Sequence, residues 1–148
     1  MTQRMDISVA APEGFQAVWR LETYVAQHVD RTIATLVKIR SSVLNECTFC
    51  IDMHSRDAVA DGETMQRVFA VAAWRDSPFF DERERAALAL TDALTRLGDD
   101  GVPDRVWEDV RQWWSERETA DLVLAVGVIN LWNRILIATR RQLSPARS

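Results

Sequence analysis

Ser41-Ser42-Val43-Leu44-Asn45-Glu46-Cys47-Thr48-Phe49-Cys50-Ile51-Asp52-Met53-His54 carries both of the chain's cysteines and one of its two histidines. Read as a helix, it sets Cys47, Cys50 and His54 on one face at i, i+3 and i+7. Asn45 reads as the N-cap that opens this helix, and Gly62 as the residue just past its end. Both thiols then lie in the first turns, near unpaired backbone N–H groups and the positive end of the helix dipole. Two thiols able to close a small ring, with an imidazole one turn on, make a candidate redox site.

Helical spacing continues on either side. Upstream, Phe15, Val18, Val25 and Val29 mark a helix from Phe15 to about Asp30, and Ile33, Leu36, Val37 and Val43 another over Arg31–Leu44. Downstream, Glu63 to Arg75 reads as a short helix that ends at Asp76-Ser77-Pro78. Asp81 and Glu84 have capping-box spacing ahead of Leu90, Ala93, Leu94 and Leu97. A Gly98–Pro103 turn leads into a helix over Asp104–Trp114. Ser115 and Glu118 repeat the capping box and open a last helix to about Arg141. No stretch alternates like a strand and no segment repeats. The expected fold is all-α, a single domain over residues 1–148 with short flexible termini: Met1–Ala11 disordered at its start and the tail frayed from Ser144.

Composition narrows the function classes. With 148 residues, 47% of them hydrophobic, the chain can bury a real core without structural disulfides. A net charge of −4 argues against a nucleic-acid partner, which calls for a basic face. The start lacks a charged-then-apolar signal segment, and the longest unbroken apolar run, Leu122–Ile129, is too short to span a bilayer. The expected setting is soluble and cytoplasmic, without membrane partners. In such a reducing compartment, a CxxC pair serves metal binding or catalysis more often than stapling. From Ala120 to Ala138 the last helix is apolar on almost all sides, broken mainly by Asn130, Asn133 and Arg134. With six tryptophans in the chain, this points to a homo-oligomer, with core filling as the simpler alternative.

The thiolate is the nucleophilic form of cysteine, and its pKa of about 8.5 falls at helix N-termini and in CxxC motifs. A thiolate that attacks a peroxide oxygen becomes a sulfenic acid, and a second thiol one turn away condenses with it to a disulfide. His54 can take the thiol proton or pass one to the leaving alkoxide. Zinc is the competing reading, but all three ligands lie on one short segment with no second CxxC to complete a site. Buried structural thiols fit poorly with polar Asn45, Glu46, Thr48 and Asp52 around them. A staple closing so small a ring gains little.

The run from Ser41 to Ala58 resembles the signature of AhpD-like alkylhydroperoxidases in the carboxymuconolactone decarboxylase superfamily. Ala73-Trp74-Arg75, Glu84-Arg85-Ala86-Ala87-Leu88 and Asn130-Leu131-Trp132-Asn133-Arg134 are similar to the same pattern. The resemblance implies an AhpD-like helical bundle of about six to seven helices, assembled as trimers or hexamers. It implies reduction of an organic hydroperoxide, with Cys50 attacking, Cys47 resolving and no cofactor needed. The paired cysteines set the chain apart from true decarboxylases of the superfamily. A dithiol reductant must restore the pair: a lipoyl group, a thioredoxin-like protein or a small thiol.

Relatives of this kind relay protons through a glutamate near the histidine. The stretch Val37–Ser42 has no acid, so Glu84 is the candidate, in competition with its capping-box role. Glu46 departs from the pattern, which has a small residue, often glycine, before the first cysteine. Its carboxylate would oppose a thiolate at Cys47 by like charge, or serve as a nearby base. Phe49, Phe79 and Phe80 suggest an apolar mouth. His28 reads as remote from the motif, Asp52 and Asp57 as solvent-facing or paired with Arg56, and Asn130, Asn133 and Arg134 as ties between helices or subunits. The alternatives to a peroxidase are a disulfide oxidoreductase acting on another dithiol and a redox-sensing oligomeric binding protein.

Overall fold

The computed structural model describes residues 1–143, and these form α1 (Ile7–Ala10), α2 (Pro12–His28), α3 (Arg31–Leu44), α4 (Thr48–Ala60), α5 (Met65–Ala70), α6 (Glu82–Thr95), α7 (Asp104–Trp113) and α8 (Glu116–Thr139). A 3-10 segment, Val71–Asp76, links α5 to the turn before α6. No strand occurs among the described residues, so the fold is all-α as the periodicity indicates. The single-turn α1 is an addition to the expected helices. The expected fraying from Ser144 concerns residues outside those described.

Helix α3 positions everything else because both of its sides are apolar. Ile33, Ala34 and Val37 join a core built with Val25 of α2, Leu90 of α6, Val110 of α7 and Leu122, Val126 and Ile129 of α8. Leu36 and Ile39 join a second core with Ala58 of α4, Val68 of α5, Trp74, Phe80 and Leu88. Each fully buried aliphatic side chain contributes on the order of 1.5–3 kcal/mol, so α3 ties the two halves together. Helix α8 is long and apolar enough to cross a membrane by length and composition. Here it supplies the centre of the first core, while Leu124, Leu131 and Ile137 remain on its outer face.

The ends of the helices follow local chemistry. Both capping boxes form: Asp81 with Glu84 at the start of α6, and Ser115 with Glu118 at the start of α8. Gly62 sits just past α4 with φ 99°, a left-handed conformation that suits glycine. The junction of α3 and α4 differs from expectation. Asn45 is not the N-cap of the CxxC helix; it is the C-cap of α3, and Cys47 is the N-cap of α4. The Glu46 N–H donates to the Val43 carbonyl at 3.1 Å and the Cys47 N–H to the Ser42 carbonyl at 3.0 Å. This is a Schellman closure, with Glu46 at φ 57° in the place glycine usually takes.

The N-terminal segment is also more ordered than its composition suggests. Asp6 caps α1 by accepting from the Ser8 N–H at 2.9 Å. The Arg4 N–H donates to the Thr139 carbonyl at 2.8 Å and its guanidinium to the Ala138 carbonyl at 3.1 Å. Residues 1–11 thereby form a strap from α2 to the end of α8.

Candidate active site

Cys47 and Cys50 form a disulfide with their Cα atoms 5.4 Å apart, an ordinary separation for such a bond. Cys47 is the N-cap of α4 and Cys50 its third residue, so the bond spans one turn. Both residues are buried, at 2% and 1% exposure. Cys50 lines a cavity of about 290 Å³, and Cys47 is not among the lining residues. His54, one turn beyond Cys50, lines the same cavity.

The walls come from four separate parts of the chain. Helix α2 gives Phe15, Trp19 and Glu22; α4 gives Phe49 and Met53; α8 gives Trp132 and Leu136. The strap closes the remaining side with Met5, Asp6 and Ile7. Phe15, Trp19 and Trp132 pack as an aromatic cluster, with Phe15–Trp132 and Trp19–Trp132 centroids 5.6 and 5.4 Å apart. At the rim, Arg141 reaches to 3.7 Å from the Asp6 carboxylate. A small, mostly apolar cavity with a few polar groups at one sulfur suits a small organic ligand.

Burial, and secondarily the Lys38 ammonium, push the His54 imidazole down from 6.5 to about 4. Near neutral pH it is therefore uncharged and able to accept a proton. Lys38 itself donates to the Glu22 carboxylate, whose other oxygen accepts from Trp132 Nε1 at 3.2 Å. No three His, Cys, Asp or Glu side chains converge as a metal site among the described residues.

Glu84 is not brought to this cavity. Its two oxygens accept from Arg67 at 2.6 and 3.2 Å, and one also accepts from the Asp81 N–H at 3.0 Å. These bonds occupy the carboxylate as cap and ion-pair partner. Glu46 lies in the turn behind Cys47 and does not line the cavity either. Of the three phenylalanines expected at the mouth, only Phe49 is there; Phe80 is in the second core, and Phe79 is outside the cavity, partly exposed. Asp52 does pair with Arg56, at 2.9 Å. His28 accepts from or donates to no site group; its ring stacks on Tyr24 at 4.1 Å.

Asn130 and Asn133 act as ties between helices. Asn45 Nδ2 donates to the Oδ1 atoms of both, each at 2.9 Å, and Asn133 Nδ2 donates to Ser42 Oγ at 3.0 Å. The turn that carries Cys47 is thus fastened to α8. Sequence reading missed Glu22, Lys38, Trp19 and Trp132 as site residues. The tryptophans pointed in the sequence to an oligomer interface or a filled core, and nothing in the local pattern singles out Glu22 or Lys38.

The carboxymuconolactone decarboxylase family model matches residues 10–93. The uncharacterized protein YdfG of Bacillus subtilis is 42% identical over 139 residues, covering 93% of this chain and 95% of that one. A crystal structure from Agrobacterium tumefaciens, of a protein of unknown function suggested to be the antioxidant defence protein AhpD, superposes with a TM-score of 0.93. It is 38% identical and covers 97% of this chain and 99% of that chain. The debrominase Bmp8 shares the fold at a TM-score of 0.78 and 21% identity, over 88% of this chain and 70% of its own.

Proposed function

This chain belongs to the carboxymuconolactone decarboxylase family, and from that membership we propose that it is a thiol-dependent peroxidase that reduces organic hydroperoxides. The observation that carries the reading is that Cys50, and not Cys47, faces the cavity together with His54. Neutral His54 takes the Cys50 proton, and the thiolate attacks the outer peroxide oxygen. The O–O bond breaks, the alkoxide leaves as an alcohol with the proton held by His54, and Cys50 becomes a sulfenic acid. The Cys47 thiol then attacks the Cys50 sulfur; water leaves and the disulfide forms. An external dithiol supplies the two electrons and two protons that reopen it.

Burial of both sulfurs favours a slender donor, a lipoyl arm or a small thiol, over a folded thioredoxin-like protein. The same burial disfavours the reading as an oxidoreductase for folded dithiol proteins. We place the protein in the cytoplasm as an antioxidant enzyme, assembled as a trimer or hexamer through its apolar α8 face.

The test uses fully reduced protein and one equivalent of cumene hydroperoxide. Both thiols are expected to disappear with formation of the Cys47–Cys50 disulfide. Cys50→Ser is expected to abolish peroxide consumption, and Cys47→Ser to leave a sulfenic acid at Cys50 that dimedone traps. Thiols that survive excess peroxide would sink the proposal, and the reverse pattern in the variants would exchange the two roles. Turnover with dihydrolipoamide separates an enzyme from a sensor, which would oxidise once and stop.

A further inference from the structure

The cavity at Cys50 has a shape and a charge that reduction of a peroxide does not by itself require. At about 290 Å³ it stands at the small end of ligand pockets, which run to about 300–1,000 Å³. The peroxide group needs only the α4 side, where Cys50 and His54 lie one turn apart. The rest of the wall faces whatever group the peroxide carries. Phe15 and Trp19 of α2 and Trp132 of α8 furnish it with rings. The Phe15–Trp132 planes cross at 76° and the Trp19–Trp132 planes at 58°, so the rings meet as a corner and not as a stack. An aryl group entering a corner finds a ring face on one side and ring edges on the other, the arrangements that aromatic quadrupoles favour. Trp132 is fixed in place: its Nε1 donates to one oxygen of Glu22 at 3.2 Å, and Lys38, which does not line the cavity, holds the other oxygen.

The charged groups on the wall, among the described residues, are the carboxylates of Asp6 and Glu22 and the guanidinium of Arg141. Arg141 already faces Asp6 at 3.7 Å. His54 adds no charge near neutral pH. An anionic ligand would meet excess negative charge and compete with Asp6 for that guanidinium.

We propose that the cavity selects compact, neutral aryl hydroperoxides, holding the ring in the Phe15–Trp19–Trp132 corner and turning anionic peroxides away at Asp6 and Glu22. This rests on the reading of Cys50 as the thiol that attacks the peroxide. Each turnover consumes the aryl hydroperoxide and both thiols and yields the aryl alcohol, water and the Cys47–Cys50 disulfide, which the external dithiol reopens. Hydrogen peroxide leaves the corner unused, and a long acyl chain exceeds the cavity. One aromatic contact is worth about two- to tenfold in affinity beyond the area it buries.

The experiment compares peroxides and, separately, alcohols. Quenched-flow thiol counts give the rate at which fully reduced protein is oxidised by cumene hydroperoxide, tert-butyl hydroperoxide, and para-carboxycumene hydroperoxide with its methyl ester. Each rate is divided by the rate with free dithiothreitol. Calorimetry gives the affinity of the disulfide form for cumyl alcohol, tert-butyl alcohol and para-carboxycumyl alcohol.

After correction, cumene hydroperoxide is expected to lead tert-butyl hydroperoxide by about tenfold, and the ester to lead the acid by about fivefold. The alcohols are expected to rank in the same order. Trp132→Leu is expected to erase the aryl preference, and Trp132→Phe, which keeps a ring, to retain most of it. Because Trp132→Leu leaves Glu22 without its indole donor and can unfold the protein, Phe15→Leu is made on the other side of the corner and is expected to lower the same ratio several-fold. Asp6→Asn, a residue that still caps α1, is expected to narrow the gap between ester and acid. Equal corrected rates for the aryl and tert-butyl peroxides, or an acid that outruns its ester, would overturn the proposal. So would an aryl preference untouched in folded Phe15→Leu and Trp132→Leu. Protein that consumes no hydroperoxide yet ranks the alcohols as expected would overturn the peroxidase reading and uphold the selection by the cavity.

Discussion

Glu46 turns the chain into the CxxC helix at φ 57°, in a region where a side chain with a Cβ is strained. The equivalent turn after α4 uses Gly62, which carries no such cost. The departure noticed in the sequence, an acid where relatives favour a small residue, is thus first a backbone matter and only second one of charge beside Cys47. Glu46→Gly is expected to stabilise the protein by about 1 kcal/mol, read as a higher urea midpoint at unchanged slope. No gain would mean that Glu46 makes up its strain elsewhere. Cys47, Cys50 and His54 were legible because helical spacing fixes their relation within eight residues of chain. The neutral state of His54 was not, since it depends on burial and on Lys38 from another helix.

At the scale of elements, what four consecutive residues can specify was read correctly. Both capping boxes and the bounds of α3 follow from local pattern. Asn45 was misassigned because asparagine suits several helix-end positions, and its choice is made by Asn130 and Asn133 on α8, 85 and 88 residues away. Glu84 shows the same limit: its spacing from Asp81 was readable, but its ion pair with Arg67 of α5 was not. With its carboxylate committed to Arg67 and the cap, Glu84→Gln is expected to lose about 1–2 kcal/mol of stability. The rate of Cys50 oxidation by hydroperoxide should stay within twofold of wild type. Slower oxidation at undiminished stability would return Glu84 to the proton relay.

Across the whole molecule, helix content was evident from periodicity, whereas the cavity was not, because its walls come from α2, α4, α8 and the strap. The Arg4–Thr139 and Arg4–Ala138 bonds and the Asp6–Arg141 pair join residues near opposite ends of the chain, contacts no local pattern encodes. Of Phe49, Phe79 and Phe80, the aromatic mouth read from the sequence, only Phe49 lines the cavity; Phe15, Trp19 and Trp132 join it there from distant parts of the chain. That cluster has an optical consequence. Trp19 and Trp132 share the cavity with Cys50, and a disulfide accepts an electron from an excited indole at close range more readily than a thiol does. Reducing the Cys47–Cys50 bond should therefore brighten the intrinsic emission, and Trp132→Phe should remove most of that change. An unchanged spectrum on reduction would contradict it. The protein's redox state is then open to a fluorimeter without any added dye.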